Sequence, residues 1–341
     1  MSSDPSRSSG TSPDDALPPV EPPNAGFIVQ LFVVPGVIVV VVVMIWVLFN
    51  WLAQKGNDRD AFVRALSRNN EARWQAAFNL ANALRAEREA TNPTLKTDPK
   101  LAQQLAGILS KEIKDGGLEE NPIMLRIYLS RALGEFKVPD GLPALIEAAT
   151  TVRDEKEDTV RRAALEGIAM LADNVGPDNP AFAKNPKLEE VLLAAAADPD
   201  VRTRSVAAVG LGVIGTPAMV DKLRFMLGEA NPDVRYNAAA RLAQRGDEAA
   251  VPVLVEMLDP EETAGVDVEK EEMMRPFKRA LITINALRAS GQLADKNANA
   301  DLSALQSAIE KLLAGKISQE TRVEATAALQ HFEKRTATIA T

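Results

Sequence analysis

Asp198–Gly212 reads DPDVRTRSVAAVGLG, and Asn231–Ala243 reads NPDVRYNAAARLA. The two stretches share one layout, with Arg202 and Arg235 lying 33 residues apart. Each opens on Asp, Asn or Pro, residues whose side chains or fixed φ suit the first turn of a helix. Small or apolar residues then recur three, four and seven positions after an arginine: Ala238, Ala239 and Leu242 after Arg235, or Ala76, Ala77 and Leu80 after Arg73. That spacing lays one buried stripe along a helix, and its alanines let neighbouring helices approach closely.

Further copies lie on both sides. DTVRRAALEGIAML from Asp158 places its arginine at Arg161. Weaker copies are EARWQAAFNLANAL from Glu71, NPIMLRIYLSRALG from Asn121 and ETRVEATAALQHF from Glu320, with arginines Arg73, Arg126 and Arg322. A degenerate copy begins at Arg275. Segments with their own apolar stripes alternate with them, from Leu101, Leu142, Leu188, Met219, Ala249 and Leu302, and Asp60 starts the first pair. Helix follows helix with no strand pattern between. The expectation is all-α, with about seven antiparallel helix pairs stacked over residues 54–341.

The pattern D-x-V-R-x-x-A-A-x-x-L resembles the HEAT repeat family, an armadillo-like class, and especially its short bacterial type seen in phycobilisome-lyase-like proteins. The resemblance is strong in the Arg161, Arg202 and Arg235 copies and weaker elsewhere. It implies a curved α-solenoid that binds proteins along an extended surface, although a minority of relatives are enzymes. Unequal spacing, 53 residues from Arg73 to Arg126 and 41 from Arg161 to Arg202, marks insertions.

The N-terminal part is of another kind. Residues 1–25 are rich in Ser, Pro, Asp and Gly and are expected to be a disordered tail. No charge occurs between Glu21 and Lys55, and Phe27 to Phe49 reads FIVQLFVVPGVIVVVVVMIWVLF. As a helix this run is roughly 34 Å long, enough for a hydrocarbon core of about 30 Å. Residues 26–53 are therefore expected to be a transmembrane helix contacting the lipid bilayer, with Pro35-Gly36 as the place for a kink. Lys55, Arg59, Arg64 and Arg68 follow it, whereas the tail carries only Arg7 against four acids. The positive-inside rule then places the tail outside and the repeat domain in the cytoplasm, with Trp46 and Trp51 at the inner interface.

Composition excludes several chemistries. The net charge of −8 argues against nucleic acid as a partner, since phosphate binding needs a basic face. Without cysteine there is no thiol catalysis and no thiolate metal site. His331 is the single histidine, and no paired His-Glu motif or nucleophile turn accompanies it. Gly210, Gly212 and Gly215 spell G-x-G-x-x-G, but they close a helix instead of following a strand, so they predict a tightly packed helix end and not a cofactor loop. Neither catalytic residues, nor a cofactor, nor a metal is expected, and the chain is expected not to be an enzyme.

The repeated arginines Arg73, Arg126, Arg161, Arg202, Arg235 and Arg322 are expected to stabilise the stack by bonding an aspartate or carbonyl of the neighbouring repeat, with Asp158, Asp200 and Asp233 as suitable partners. A basic groove for acidic peptides is the alternative. Positions two, five and nine after each arginine point away from the buried stripe. They include Gln75, Asn82, Tyr128, Arg131, Glu135, Arg204, Asn237, Gln244 and Glu324, with Phe78 and Met170 also there. Tyr128, Arg131 and Arg204 are the expected protein contacts, because Tyr and Arg dominate interfaces. Residues 259–272, DPEETAGVDVEKEE, hold seven acids and one lysine, a net −6, and read as a solvated insertion or as a dock for a basic partner. The function expected is a membrane-anchored scaffold for cytoplasmic proteins. An accessory subunit of a membrane transport or secretion complex, and more remotely a HEAT-type lyase or hydroxylase, are the alternatives.

Overall fold

The computed structural model of the chain describes residue 26 and residues 29–55, 59–68, 72–87 and 93–339. The chain divides into two compact units, Met1–Gly56 and Asn57–Thr341. Among the described residues every regular element is helical.

In the first unit a π-helical turn over Val29–Val33 leads into helix α1, Val34–Lys55. The large apolar side chains from Val34 to Leu48 are exposed. Among the described residues no helix is long and apolar enough to cross a membrane. This overturns the expected transmembrane helix, and with it the bilayer contact, the single-pass cell-membrane location and the outside-tail, cytoplasmic-domain orientation. The tail over 1–25 and Phe27 lie outside the described residues.

The second unit pairs its helices in chain order. They are α2 (Arg59–Ser67) with α3 (Arg73–Ala86), α4 (Pro99–Asp115) with α5 (Glu120–Gly134), and α6 (Leu142–Thr150) with α7 (Asp158–Val175). Then follow α8 (Pro186–Ala195) with α9 (Val201–Ile214), α10 (Pro217–Met226) with α11 (Pro232–Gln244), α12 (Val251–Leu258) with α13 (Arg275–Lys296), and α14 (Ser303–Ala314) with α15 (Gln319–Ile339). The second members α3, α5, α7, α9, α11, α13 and α15 touch one another in sequence and form one layer. Contacts of α4 with α6, α6 with α8, α8 with α10 and α12 with α14 run through the other layer.

Local chemistry sets the helix starts. Asp98, Asn185, Asp200, Thr216 and Asn231 each accept a backbone N–H of the first turn of α4, α8, α9, α10 and α11, and proline follows the cap in all but α9. These side chains satisfy donors that a helix leaves without partners. Helix α9 stops at Gly215, whose φ of 64° is left-handed and suits a residue without a Cβ.

The alanine–leucine stripes lie in the seam between layers. Ala77, Leu80 and Leu84 on α3, Ala207, Ala208 and Leu211 on α9, and Ala238, Ala239 and Leu242 on α11 are fully buried. Each leucine so removed from water contributes about 1.5–3 kcal/mol. A close backbone contact joins α5 to α7 through two glycines. A Cβ on Gly134 would lie 2.8 Å from the Gly167 Cα, and one on Gly167 would lie 2.6 Å from the Ser130 carbonyl oxygen. Only hydrogen fits between these backbones.

Candidate functional site

The layer of second helices turns an open face away from the seam, and a cleft of about 780 Å³ lies in it across α7, α9 and α11. Its floor is apolar, from Ala169 and Met170 on α7 and Val206, Val209 and Val213 on α9. Four-residue steps put the last two valines on successive turns of one face, and three-residue spacing adds Val206 beside them. The rim is charged in both signs, with Glu166 and Asp173 on α7, Lys137 just after α5, and Arg241 on α11.

Arg241 is held by a glycine. A Cβ on Gly212 would lie 2.3 Å from the Arg241 Cβ, so the arginine stem lies directly on the α9 backbone. Burial lowers the Arg241 pKa, and the nearby Asp173 carboxylate opposes that fall. Its Nη1 donates to the Gln244 side-chain oxygen at 2.9 Å. Gly210 leaves room for Leu192, and Gly215 lies under Arg245, whose guanidinium donates to the Gly212 and Gly215 carbonyls at 3.3 and 3.0 Å. The three glycines of the G-x-G-x-x-G string each accommodate a neighbouring side chain.

Towards α3 the same face carries an aromatic group. Trp74 stacks on Tyr128 with ring centroids 6.2 Å apart, and Phe78 meets Tyr128 edge-on at 5.1 Å. The Arg131 guanidinium sits 5.7 Å from the Tyr128 ring centre and 3.9 Å from a carboxylate oxygen of Glu166. Glu166 therefore joins the aromatic group to the cleft.

Of the three expected contact residues, Tyr128 and Arg131 stand in this group. Arg204 is spent elsewhere. Its Nε and Nη2 donate to Glu229 at 3.1 and 3.2 Å, and its Nη1 donates to the Asp198 and Pro199 carbonyls. Gln75, Phe78, Asn82 and Arg131 are exposed, whereas Tyr128, Met170, Asn237, Gln244 and Glu324 are half-buried. Glu135, expected on the open face, is buried against Lys96 at 3.2 Å and also accepts from Arg85. The loop carrying Lys96 folds over that helix end, a long-range contact with no local signature.

Of the other expected arginines, Arg73, Arg126, Arg235 and Arg322 act at helix ends, and Arg161 bonds carboxylates alone. Nε of Arg73 donates to the Leu66 carbonyl at 2.7 Å and Nη1 to Glu112 at 2.9 Å. Arg126, fully buried, donates to the Glu112 and Gly117 carbonyls and pairs with Glu157 at 2.8 Å; burial lowers its pKa and Glu157 opposes this. Arg153 holds the same Glu157 at 2.6 Å. Arg161 pairs with Asp198 at 2.7 Å and with Asp158 of its own helix, and Arg162 pairs with Asp200 at 2.8 Å. Arg235 donates to the Glu229 and Ala230 carbonyls and pairs with Glu256, which Tyr236 also donates to at 2.8 Å. Arg322 donates to the Leu313 carbonyl at 3.1 Å. In most pairs, then, a guanidinium closes the carbonyl end of the preceding helix and reaches an acid of the following pair. Helix C-termini leave carbonyls unbonded and carry partial negative charge, so a cation suits them.

Arg202 departs from this pattern. It is exposed and makes no side-chain hydrogen bond among the described residues. Asp200 is the cap of α9, and Arg204 stands where Arg235 stands in α11. Asp233, expected to serve an arginine, accepts instead from Lys278 at 3.0 Å.

Residues 188–266 match the HEAT repeats family, a span that runs from α8 to just beyond α12. No curated protein matches the chain. Among solved structures, the chain is similar to the complex of CpcE and CpcF of phycocyanin lyase from Nostoc sp., at 19% identity and a TM-score of 0.47, covering 82% of this chain and 94% of that one. It is similar to Escherichia coli YibA at 18% and 0.36, covering 84% and 96%, and to human deoxyhypusine hydroxylase at 19% and 0.31, covering 82% and 97%. The expectation that the chain is not an enzyme is withdrawn on this finding, since a lyase complex and a hydroxylase stand among the similar structures. TM-scores below 0.5 carry neither activity over to this chain.

Proposed function

We propose that this chain is a protein-binding scaffold whose repeat face receives an extended peptide segment of a partner. The observation that carries the reading is the valine floor over α9, open to solvent inside a cleft of about 780 Å³ and rimmed by charges of both signs. Half-buried valines gain from an apolar cover, and the rim favours a segment with an apolar middle and charged flanks. Tyr128 and Arg131 extend the contact: the tyrosine ring buries much area at little cost in freedom, and the Arg131 guanidinium is already held over it. Arg204 is left out because its donors are engaged within the fold.

Selection of displayed random peptides against the full-length protein tests this. Recovered peptides are expected to centre on apolar residues and to lose at least about tenfold in affinity on Val209→Asp and on Tyr128→Ala with Arg131→Ala. Peptides indifferent to both changes, or no enrichment at all, would refute it.

A further inference from the structure

A second surface lies outside that cleft, where the acidic stretch 259–272 meets the start of α13. A 3-10 turn at Glu272–Met274 runs straight into α13. Along it Met274, Phe277 and Leu281 follow at steps of three and four, and Met273 precedes Phe277 by four, so these side chains share one helical face. They are open to solvent, with Met273 at 88%, Phe277 at 75% and Leu281 at 59% exposure. Large side chains clustered in the open mark a contact site more often than they mark chance.

The charge around them is one-sided. Asp267, Glu271 and Glu272 are exposed and make no ion pair among the described residues. Of the cations nearby, Lys270 stands exposed between Glu269 and Glu271, and the others are committed elsewhere. Arg275 donates to the Glu269 carbonyl and Arg279 to the carbonyls of Asp259 and Glu262, while Lys278 pairs with Asp233. The two arginines bind the backbone of the acidic stretch to α13 without a direct ion pair to its carboxylates, and its seven acids outnumber Lys270, Arg275 and Arg279. What results is an apolar patch of Met, Phe and Leu edged by an excess of acid.

We infer that Met273, Met274, Phe277 and Leu281, with Asp267, Glu271 and Glu272 at their edge, form a docking surface for a basic amphipathic helix of a partner protein. The occupant's apolar stripe covers the Met–Phe–Leu face, and its lysines or arginines meet the carboxylates. Methionine adapts to varied apolar shapes, and acidic flanks select the sign of the ligand. The surface is separate from the valine cleft and stands whether or not the cleft binds peptide.

The probe is a fluorescent amphipathic peptide of roughly 14 leucines and lysines, titrated into full-length protein and read by anisotropy, beside its leucine–glutamate counterpart. The leucine–lysine peptide is expected to bind and the counterpart to bind at least about tenfold more weakly. Phe277→Ser with Leu281→Ser, and separately Asp267→Asn with Glu271→Gln and Glu272→Gln, should each weaken it at least about tenfold. All five side chains are exposed, so the variants should keep the wild-type circular dichroism. Added salt should weaken the wild type but barely affect the charge-stripped variant, and Val209→Asp should leave binding unchanged. Equal affinity for both peptides, or wild-type affinity in either variant, overturns the inference. So does a protein dimer in sedimentation that Phe277→Ser with Leu281→Ser abolishes, because the occupant is then a second copy of this chain.

Discussion

Arg204 and Arg235 occupy the same place in successive repeats. Each directs Nη1 to the carbonyls six and five residues before it, at 2.9 and 3.1 Å for Arg204 and 3.3 and 3.0 Å for Arg235, and each then pairs with a glutamate further along. The caps Asp200 and Asn231 share that offset, 31 residues apart. Aligning the DPDVR and NPDVR strings instead gives 33 and selects Arg202, which is exposed.

The pair separates the two alignments experimentally. Arg204→Ala removes bonds to two carbonyls and a carboxylate and is expected to cost about 1–3 kcal/mol. Arg202→Ala should stay within about 0.5 kcal/mol. Urea denaturation midpoints of the two variants, measured side by side, decide it; equal losses would return the role to Arg202.

Glu157 holds Arg126 in an interior position, with Arg153 on its other side. Removing one partner of a buried pair leaves an uncompensated charge, so Glu157→Ala is expected to destabilise by about 3–5 kcal/mol. Arg153→Ala, at a partly exposed site, should cost far less. Thermal melts of both variants check the order, and a mild Glu157→Ala would show that the carbonyls alone satisfy Arg126.

Gly134 and Gly167 leave no space for a methyl group between α5 and α7. Gly134→Ala or Gly167→Ala should therefore lower stability by about 1–3 kcal/mol despite the better helix propensity of alanine. Gly107, on α4, has nothing near its absent Cβ, so Gly107→Ala should be neutral or stabilising. Denaturant midpoints for the three variants test the contrast.

Asp200 also predicts a pH response. Partial burial opposes its charge, but hydrogen bonds from the Thr203 hydroxyl and backbone, the Arg202 backbone N–H and the Arg162 guanidinium outweigh burial and hold its pKa below the usual carboxylate range. A depressed folded-state pKa gives stability that is present above the unfolded value, about 3.9, and lost as pH falls through the folded one. Asp200→Asn keeps a capping side chain but not the charge, so it should be less stable than wild type at pH 7, with the gap closing below about pH 4. A constant gap across that range would remove Asp200 from the acid response.

Much of the architecture was legible because alanine and leucine at three-, four- and seven-residue steps admit few alternatives to a packed helix face. Ala238, Ala239 and Leu242 illustrate this, all fully buried. The glycine string was legible as a helix end, since no strand precedes it. What failed depended on distance or on register. Glu135 falls on a face that helical geometry makes open, yet a loop brings Lys96 over it. Counted from Arg202, Arg204 falls on the open face, but counted from the cap Asp200 it takes the place that Arg235 has after Asn231. Residues 27–49 read as a membrane span by their length and lack of charge, and the π-helical turn at Val29–Val33 has no signature in either. The open face was partly legible, through Tyr128 and Arg131 beside the cleft and Met170 within it. Its valine floor escaped notice because Val206, Val209 and Val213 look like ordinary core.

The guanidinium that seals one helix end and grasps the next pair ties two units with a single side chain. Such an array does not behave as beads on a string. Cutting out or transplanting one pair would strand a cation against carbonyls on one side and an acid without its mate on the other. Natural shortening or lengthening of the stack would therefore have to proceed by exchanging matched arginine–acid sets, and grafted pairs would need both halves of the lock.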